Sequence, residues 1–251
     1  MSTLLLDAGN SRLKWRLLDE GAFLDEGALD YAKLDELALR LADHPPVERV
    51  LGCNVAGTEV GQRLDALLAP CPIAWLRPEA HSGGLHNHYR NPGQLGADRW
   101  AALLGAFEVS AGRDCVVVMA GTAMTVDVLT AKGEFLGGII VPGFKLMRTA
   151  LAQGTADLGL PDGDQADFPQ STGEAIVNGA LQALVGAIEE MRLRLEGISG
   201  KPVRVLLSGG DATLLTPLLA PRLAGRLLPV DNLVLRGLAR LAFPEARRKE
   251  S

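Results

Sequence analysis

Cysteine is scarce in this chain of 251 residues: Cys53, Cys71 and Cys115 are odd in number, widely spaced and never arranged as C-x-x-C. That argues against a disulfide framework and against cysteine zinc or redox sites, and predicts buried, reduced thiols. Basic charge is also short. Lys and Arg number 25 against 30 Asp and Glu, giving a net charge of −5 and a pI near 5.4, which argues against a dedicated nucleic-acid binder and still permits a local basic pocket for an anion. No apolar run approaches the ~20 residues that span a bilayer, and Met1-Ser2-Thr3 carries no basic leader. A cytoplasmic protein is expected.

What is present is 47% hydrophobic and 22% charged residues, the balance of a globular chain, with disorder expected only in the tail Glu245 to Ser251. The length suits one large or two smaller domains. The first stretch with chemistry in it is Thr3 to Trp15, TLLLDAGNSRLKW. Three leucines run into Asp7, a turn of small residues follows, and Lys14 comes four residues after Asn10. A buried strand ending in a carboxylate and a tight turn puts a metal-binding group beside backbone N–H donors, as nucleotide phosphates with Mg²⁺ require. The same turn suits an ordinary hairpin, with Gly9 and Asn10 supplying positive φ.

Strands are expected at Leu13 to Leu18, Ala22 to Leu29, Arg49 to Val55 and Ile73 to Leu76. Helices are expected through Leu34, Leu37 and Leu41, stopping before Pro45-Pro46, and over Val60 to Leu68. The order is that of an α/β unit. Pro78 to Gly96 then loses all apolar period and reads as a long irregular loop of functional type. It holds His81, His86 and His88, whose spacing lacks a nearby Cys or an H-E-x-x-H helix and so reads as solvated loop histidines rather than a metal site. Gly96-Ala97-Asp98-Arg99 opens an amphipathic helix through Trp100, Leu103, Leu104 and Phe107. Asp98 there falls in the first turn, where the positive helix end favours an acidic residue and lowers its pKa.

Cys115 to Val128, CVVVMAGTAMTVDV, repeats the opening device at a constant offset: Ala8 aligns with Ala120, Gly9 with Gly121 and Asn10 with Thr122. A further strand is expected over Gly133 to Pro142, then a helix over Phe144 to Ala152 that offers Lys145 and Arg148 to anions. Asp157 to Gln170 reads as a mobile loop. Ser171-Thr172-Gly173-Glu174 has the form of a capping box ahead of a helix over Ile176 to Leu195. Val203 to Leu207 reads as a buried strand delivering Ser208-Gly209-Gly210-Asp211-Ala212, and the last helix spans Asn232 to Leu241.

The ordered set D-x-G-N-S-x-x-K (Asp7 to Lys14), G-A-D-R (Gly96 to Arg99), G-T-A-x-T-x-D (Gly121 to Asp127), G-G-x-x-x-P-G (Gly137 to Gly143), S-T-x-E-A (Ser171 to Ala175) and S-G-G-D-A resembles the type III pantothenate kinases, also called the Bvg accessory factor family. The likeness spans nearly the whole chain, and the joint order is far more specific than any one motif. It implies an α/β fold of the actin, sugar kinase and Hsp70 type, with two ribonuclease H-like halves, 1–112 and 113–251, around a nucleotide cleft. It implies phosphorylation of pantothenate by ATP to 4′-phosphopantothenate, the first committed step of coenzyme A synthesis, in a homodimer.

Carried over residue by residue, the likeness implies that Asp7, Ala8, Gly9, Asn10, Ser11, Arg12, Leu13 and Lys14 form the first phosphate loop and that Thr122 touches ATP. Tyr89, Gly96, Ala97, Asp98, Arg99 and Thr172 would line the pantothenate pocket, with Asp98 as catalytic base or orienting carboxylate and Asp7 on the Mg²⁺ side. Arg99 would pair with the pantothenate carboxylate. One departure concerns the monovalent cation, K⁺ or NH₄⁺. Met119 stands where many members carry an Asp that helps hold it, and a thioether is a poor ligand for a hard cation. Either carbonyl oxygens hold the ion or another arrangement replaces it. Two rivals remain open on the sequence alone: another phosphotransferase of the superfamily, such as a sugar or acetate kinase, and a nucleotide-binding regulatory protein without turnover.

Overall fold

A computed structural model of the chain describes residues 1–155 and 158–244. The expected tail 245–251 lies outside the described residues, as does Asp157 at the head of the expected mobile loop. The chain forms two compact units, Met1–Val109 joined by the described part of Asn232–Ser251, and Ser110–Asp231.

In the first unit β1 (Ser2–Ala8), β2 (Leu13–Asp19) and β3 (Ala22–Leu29) make an antiparallel meander. β4 (Arg49–Asn54) and β5 (Ile73–Trp75) add in parallel on the other side, in the order β3-β2-β1-β4-β5. β1 is central and buried on both faces, as a run of three leucines requires. Leu4 and Leu6 share one core with Trp15, Leu17, Leu37 of helix α1 (Glu36–Leu41) and Leu64 of helix α2 (Thr58–Leu67). The other face is covered by α3 (Ala97–Val109) and α7 (Leu233–Ala242), which pack on each other and on β4 and β1.

The α3–α7 contact depends on two glycines. A methyl group at Gly237 would stand 1.8 Å from the Ala101 carbonyl oxygen, and one at Gly105 would stand 2.4 Å from that of Leu233. The backbones meet directly, and this places α7 in the first unit. The boundary expected at 112/113 had assigned that helix to the second half. A linear reading follows chain order, whereas the chain returns to its first sheet after Asp231.

The stretch expected to be irregular, Pro78 to Gly96, contains a small hairpin of β6 (His81–Ser82) and β7 (Leu85–Asn87). Gly83 and Gly84 turn it with φ of 56° and 81°, the pair of positive values that a tight two-residue connection needs. His81 and His86 stack across it with ring centroids 4.2 Å apart, and the His88 ring lies 4.2 Å from that of His86 at a tilt of 43°.

The second unit repeats the plan of the first. β8 (Cys115–Ala120), β9 (Ala123–Leu129) and β10 (Glu134–Pro142) form the meander, and β11 (Arg204–Ser208) and β12 (Leu227–Pro229) add in parallel, in the order β12-β11-β8-β9-β10. β8 therefore occupies the place of β1, which is the structural content of the sequence echo. Helices α4 (Phe144–Gly154), α5 (Thr172–Ser199) and α6 (Ala212–Leu223) complete the unit, with Leu181, Leu184, Val185 and Ile188 of α5 in its core. The Ser171 half of the capping box forms, its hydroxyl accepting from the Glu174 N–H at 3.2 Å, while the Glu174 carboxylate reaches one residue further back and accepts from the Gln170 N–H at 2.7 Å. Gly200, at φ 65°, ends the helix. No helix among the described residues is long and apolar enough to cross a membrane.

Candidate active site

Asp7 is the penultimate residue of β1, and the sheet register fixes its neighbours. Lys14 lies opposite it on antiparallel β2 and Cys53 opposite it on parallel β4. The Cys53 thiol donates to Asp7 Oδ1 at 3.5 Å. The link Gly9 to Arg12 closes a true hairpin, and its residues Asn10, Ser11 and Arg12 are exposed. The positive φ expected at Gly9 and Asn10 is not found there. Instead the Gly9 carbonyl is held from outside by the Tyr31 hydroxyl, which donates to it. Ala8 and Leu13 have fully buried side chains, so only their backbones face the turn.

Burial pushes the Asp7 carboxyl up to about 6; nearby Lys14 pulls it down and Asp98 pushes it further up. Two carboxylates thus converge on one end of the first sheet, with the Lys14 ammonium acting on Asp7 and the Arg99 guanidinium on Asp98. That donor set fits a divalent cation, which hard carboxylate oxygens hold well.

Asp98 comes from the first turn of α3. Its Oδ1 accepts from the Arg99 N–H at 2.8 Å, and a methyl group at Gly96 would stand 2.6 Å from the same oxygen. Gly96 therefore leaves the carboxylate room to fold back over the helix start. The helix end was expected to lower the Asp98 pKa. Desolvation outweighs that contribution, and the Arg99 N–H and guanidinium, and the pKa is raised. A carboxyl held above its ordinary range is a better proton acceptor for an alcohol.

Arg99 is 5% exposed. Its Nη1 donates to the Tyr89 hydroxyl at 3.0 Å, and the guanidinium carbon lies 5.6 Å from the Tyr89 ring centroid. Tyr89 is set in turn by buried Asn87, whose Oδ1 accepts from the Tyr89 N–H at 3.0 Å while its own N–H donates to the Ala80 carbonyl at 2.9 Å. Sequence reasoning missed Asn87, Tyr31 and Cys53. Asn87 had a signal, an Asn two residues before the chosen Tyr, where Asn side chains commonly bond the backbone.

Thr122 and Thr172 belong to the second unit. Thr122 is exposed at the β8–β9 turn, and its carbonyl accepts from the Gly143 N–H at 2.9 Å. The Asp211 N–H reaches the Ala120 carbonyl at 3.1 Å. Methyl groups at Gly143 and Gly209 would stand 1.9 Å from the Gly121 oxygen and 2.1 Å from the Ala120 oxygen. The sequence read these glycine motifs separately, and the fold gathers all of them on one turn. Thr172 is exposed as the first residue of α5. Met119 lies in β8 opposite Thr125, whose hydroxyl is buried without a hydrogen-bond partner.

A profile described as Type III pantothenate kinase matches residues 3–194. The chain belongs to the type III pantothenate kinase family. The Type III pantothenate kinase of Chromobacterium violaceum is 46% identical over 240 residues, covering 95% of this chain and 98% of that one. Among solved structures, a Campylobacter jejuni protein named for the Baf family of transcriptional activators superposes with a TM-score of 0.65 at 21% identity, covering 97% and 98% of the two chains. The activator of 2-hydroxyisocaproyl-CoA dehydratase from Clostridium difficile, with bound ADPNP, does so at 0.56 and 12% identity over 100% and 97%. Those two likenesses speak for the fold, which is that of the actin, sugar kinase and Hsp70 type with ribonuclease H-like halves. For a type III pantothenate kinase, the first turn, Tyr89 and the G-A-D-R helix start fall in the first unit and Thr122 and Thr172 in the second.

Proposed function

We propose that the protein phosphorylates pantothenate with ATP to give 4′-phosphopantothenate, the opening step of coenzyme A synthesis. The observation that carries this reading is the pairing of Asp98, with its raised pKa, with Asp7 at the end of one sheet, beside an Arg99 already oriented by Tyr89. The pantothenate hydroxyl oxygen attacks the γ-phosphorus, the bond to the ADP oxygen breaks, and the hydroxyl proton passes to Asp98. Because phosphoryl transfer runs through a loose transition state, Asp98 orients the hydroxyl first and accepts its proton late.

Lys14 and the backbone of Asp7 to Lys14 face the phosphates, with Gly9 held by Tyr31, and Thr122 contacts ATP. Asp7 would hold Mg²⁺, which when bound supplies positive charge to the phosphate oxygens. The planar fork of Arg99 takes the pantothenate carboxylate in a bidentate contact, with Tyr89, Gly96, Ala97 and Thr172 around the rest of the molecule. The Met119 thioether is a poor ligand for K⁺ or NH₄⁺, so either carbonyl oxygens hold such an ion or another arrangement replaces it.

A cytoplasmic homodimer is part of the same reading. It is supported by apolar side chains exposed on the second unit, Leu136 and Ile140 of β10 and Leu146 and Leu151 of α4. Light scattering at the mass of one chain would remove the dimer. The function is tested by incubating the protein with Mg-ATP and pantothenate and finding 4′-phosphopantothenate by mass spectrometry. Equal ADP release with and without pantothenate would favour a non-catalytic regulator, and phosphorylation of a sugar or acetate instead would favour another phosphotransferase.

A further inference from the structure

The segment before α5, expected to be a mobile loop, is fastened over its described residues. Asn178 is 6% exposed and saturates its side chain there: Oδ1 accepts from the Ala166 N–H at 3.1 Å, and Nδ2 donates to the carbonyls of Asp164 and Glu174, each at 2.8 Å. One amide side chain thus ties two points of the loop to the first turn of α5. Just upstream the two backbones touch. A methyl group at Gly163 would stand 2.4 Å from the Glu174 nitrogen, and one at Gly173 would stand 2.1 Å from the Asp162 oxygen. Arg148 of α4 adds a third tie, donating from Nη2 to the Pro161 carbonyl at 2.7 Å.

Thr172 is the residue these ties surround. It opens α5 between the Ser171 cap and Gly173, and it is exposed while Gly173 and Asn178 are buried. Its hydroxyl can keep one direction only if the helix start and the loop packed on it stay together. We infer that Asn178 is a positioning residue for pantothenate: it clamps 164–166 onto the first turn of α5 and so holds Thr172 where the substrate meets it. The inference rests on the reading of Thr172 as a pantothenate contact. Asn178 itself touches no substrate and is not catalytic.

The carbonyls of Asp164 and Glu174 need a donor, which separates two variants of equal interest. Asn178→Asp keeps the shape and the acceptor but loses both donors, and Asn178→Ala loses all three bonds. Both should raise the pantothenate KM about tenfold while leaving the ATP KM and kcat within about threefold, since only the substrate-side threonine is released. Hydrogen exchange at the Ala166 amide and cleavage by proteinase K within 158–171 should both speed up. A pantothenate KM that stays at the wild-type value in both variants would overturn the inference, as would an equal change in both KM values.

Thr172→Ala, measured alongside, separates the causes of failure. If Thr172→Ala leaves the pantothenate KM unchanged, the assignment of Thr172 is at fault and the inference falls with it. If the wild-type protein phosphorylates no pantothenate, the functional reading is at fault. In either case, unchanged exchange at Ala166 in the Asn178 variants would show separately that the clamp itself is absent.

Discussion

The Arg99 guanidinium donates to the Tyr89 hydroxyl at 3.0 Å while its carbon lies 5.6 Å from the centroid of the same ring, so a buried cation is oriented by a residue ten positions earlier in the chain. The Asn87 side chain fixes the Tyr89 backbone. Arg99 is therefore aimed before any substrate arrives. Tyr89→Phe keeps the ring and removes the acceptor, and should raise the pantothenate KM about tenfold with kcat nearly unchanged, the loss of one hydrogen bond to a charged group. Arg99→Lys should do worse, because an ammonium cannot make the bidentate contact. Steady-state kinetics with pantothenate as the varied substrate checks both.

Asp98→Asn removes the proposed proton acceptor and keeps the shape. It should lower kcat about 10²-fold or more while both substrates still bind. The pH dependence has a definite sign. Burial raises the Asp98 pKa, so the wild-type kcat/KM should fall with decreasing pH through a limb lying above the ordinary carboxylate value of about 3.9. An acid limb at or below that value would separate Asp98 from the proton transfer.

Asp7 is crowded by Asp98 and desolvated, and the folded chain without a cation holds it at a cost. Its folded pKa lies above the unfolded one, so the fold loses stability as pH rises through that interval and carries the full penalty at neutral pH. Asp7→Asn should therefore raise the melting temperature at pH 7 in the absence of Mg²⁺ and abolish turnover. Calorimetry checks the first part and ADP release the second.

Met119→Asp places a carboxylate opposite the unpartnered Thr125 hydroxyl. If another arrangement replaces the ion, wild-type turnover should vary less than about twofold between K⁺, NH₄⁺ and Na⁺, and the variant should acquire a preference among them. A wild-type rate that collapses in Na⁺ would mean that carbonyl oxygens hold the ion without help from residue 119.

Much of this was legible in the residues. The aliphatic runs ending in Asp7 and at Gly121 announced two central strands, and their echo anticipated two units of one plan. The capping box at Ser171 and the helix start at Gly96 were read from local signals that depend on neighbours in sequence. What escaped depends on neighbours in space. The return of α7 to the first unit turns on Gly105 meeting a backbone more than a hundred residues away, which no periodicity encodes. The β6–β7 hairpin was hidden because its strands are two and three residues long and rich in histidine, although Gly83-Gly84 marked its turn. The rise in the Asp98 pKa was misjudged because the helix end is visible in sequence and the burial that outweighs it is not. The loop before α5 looked mobile by composition, and over its described residues Asn178 and Arg148 fasten it at 161, 164 and 166.

The most direct measurement of the central claim is ADP release by the purified protein in Mg-ATP, followed with pantothenate, with a panel of sugars and with acetate, in the wild type and in Asp98→Asn. Pantothenate alone should stimulate the wild type, with product heavier by one phosphoryl group, and Asp98→Asn should lose about 10²-fold or more of that rate. Stimulation by a sugar or acetate instead, or an Asp98→Asn rate close to wild type, would contradict the account.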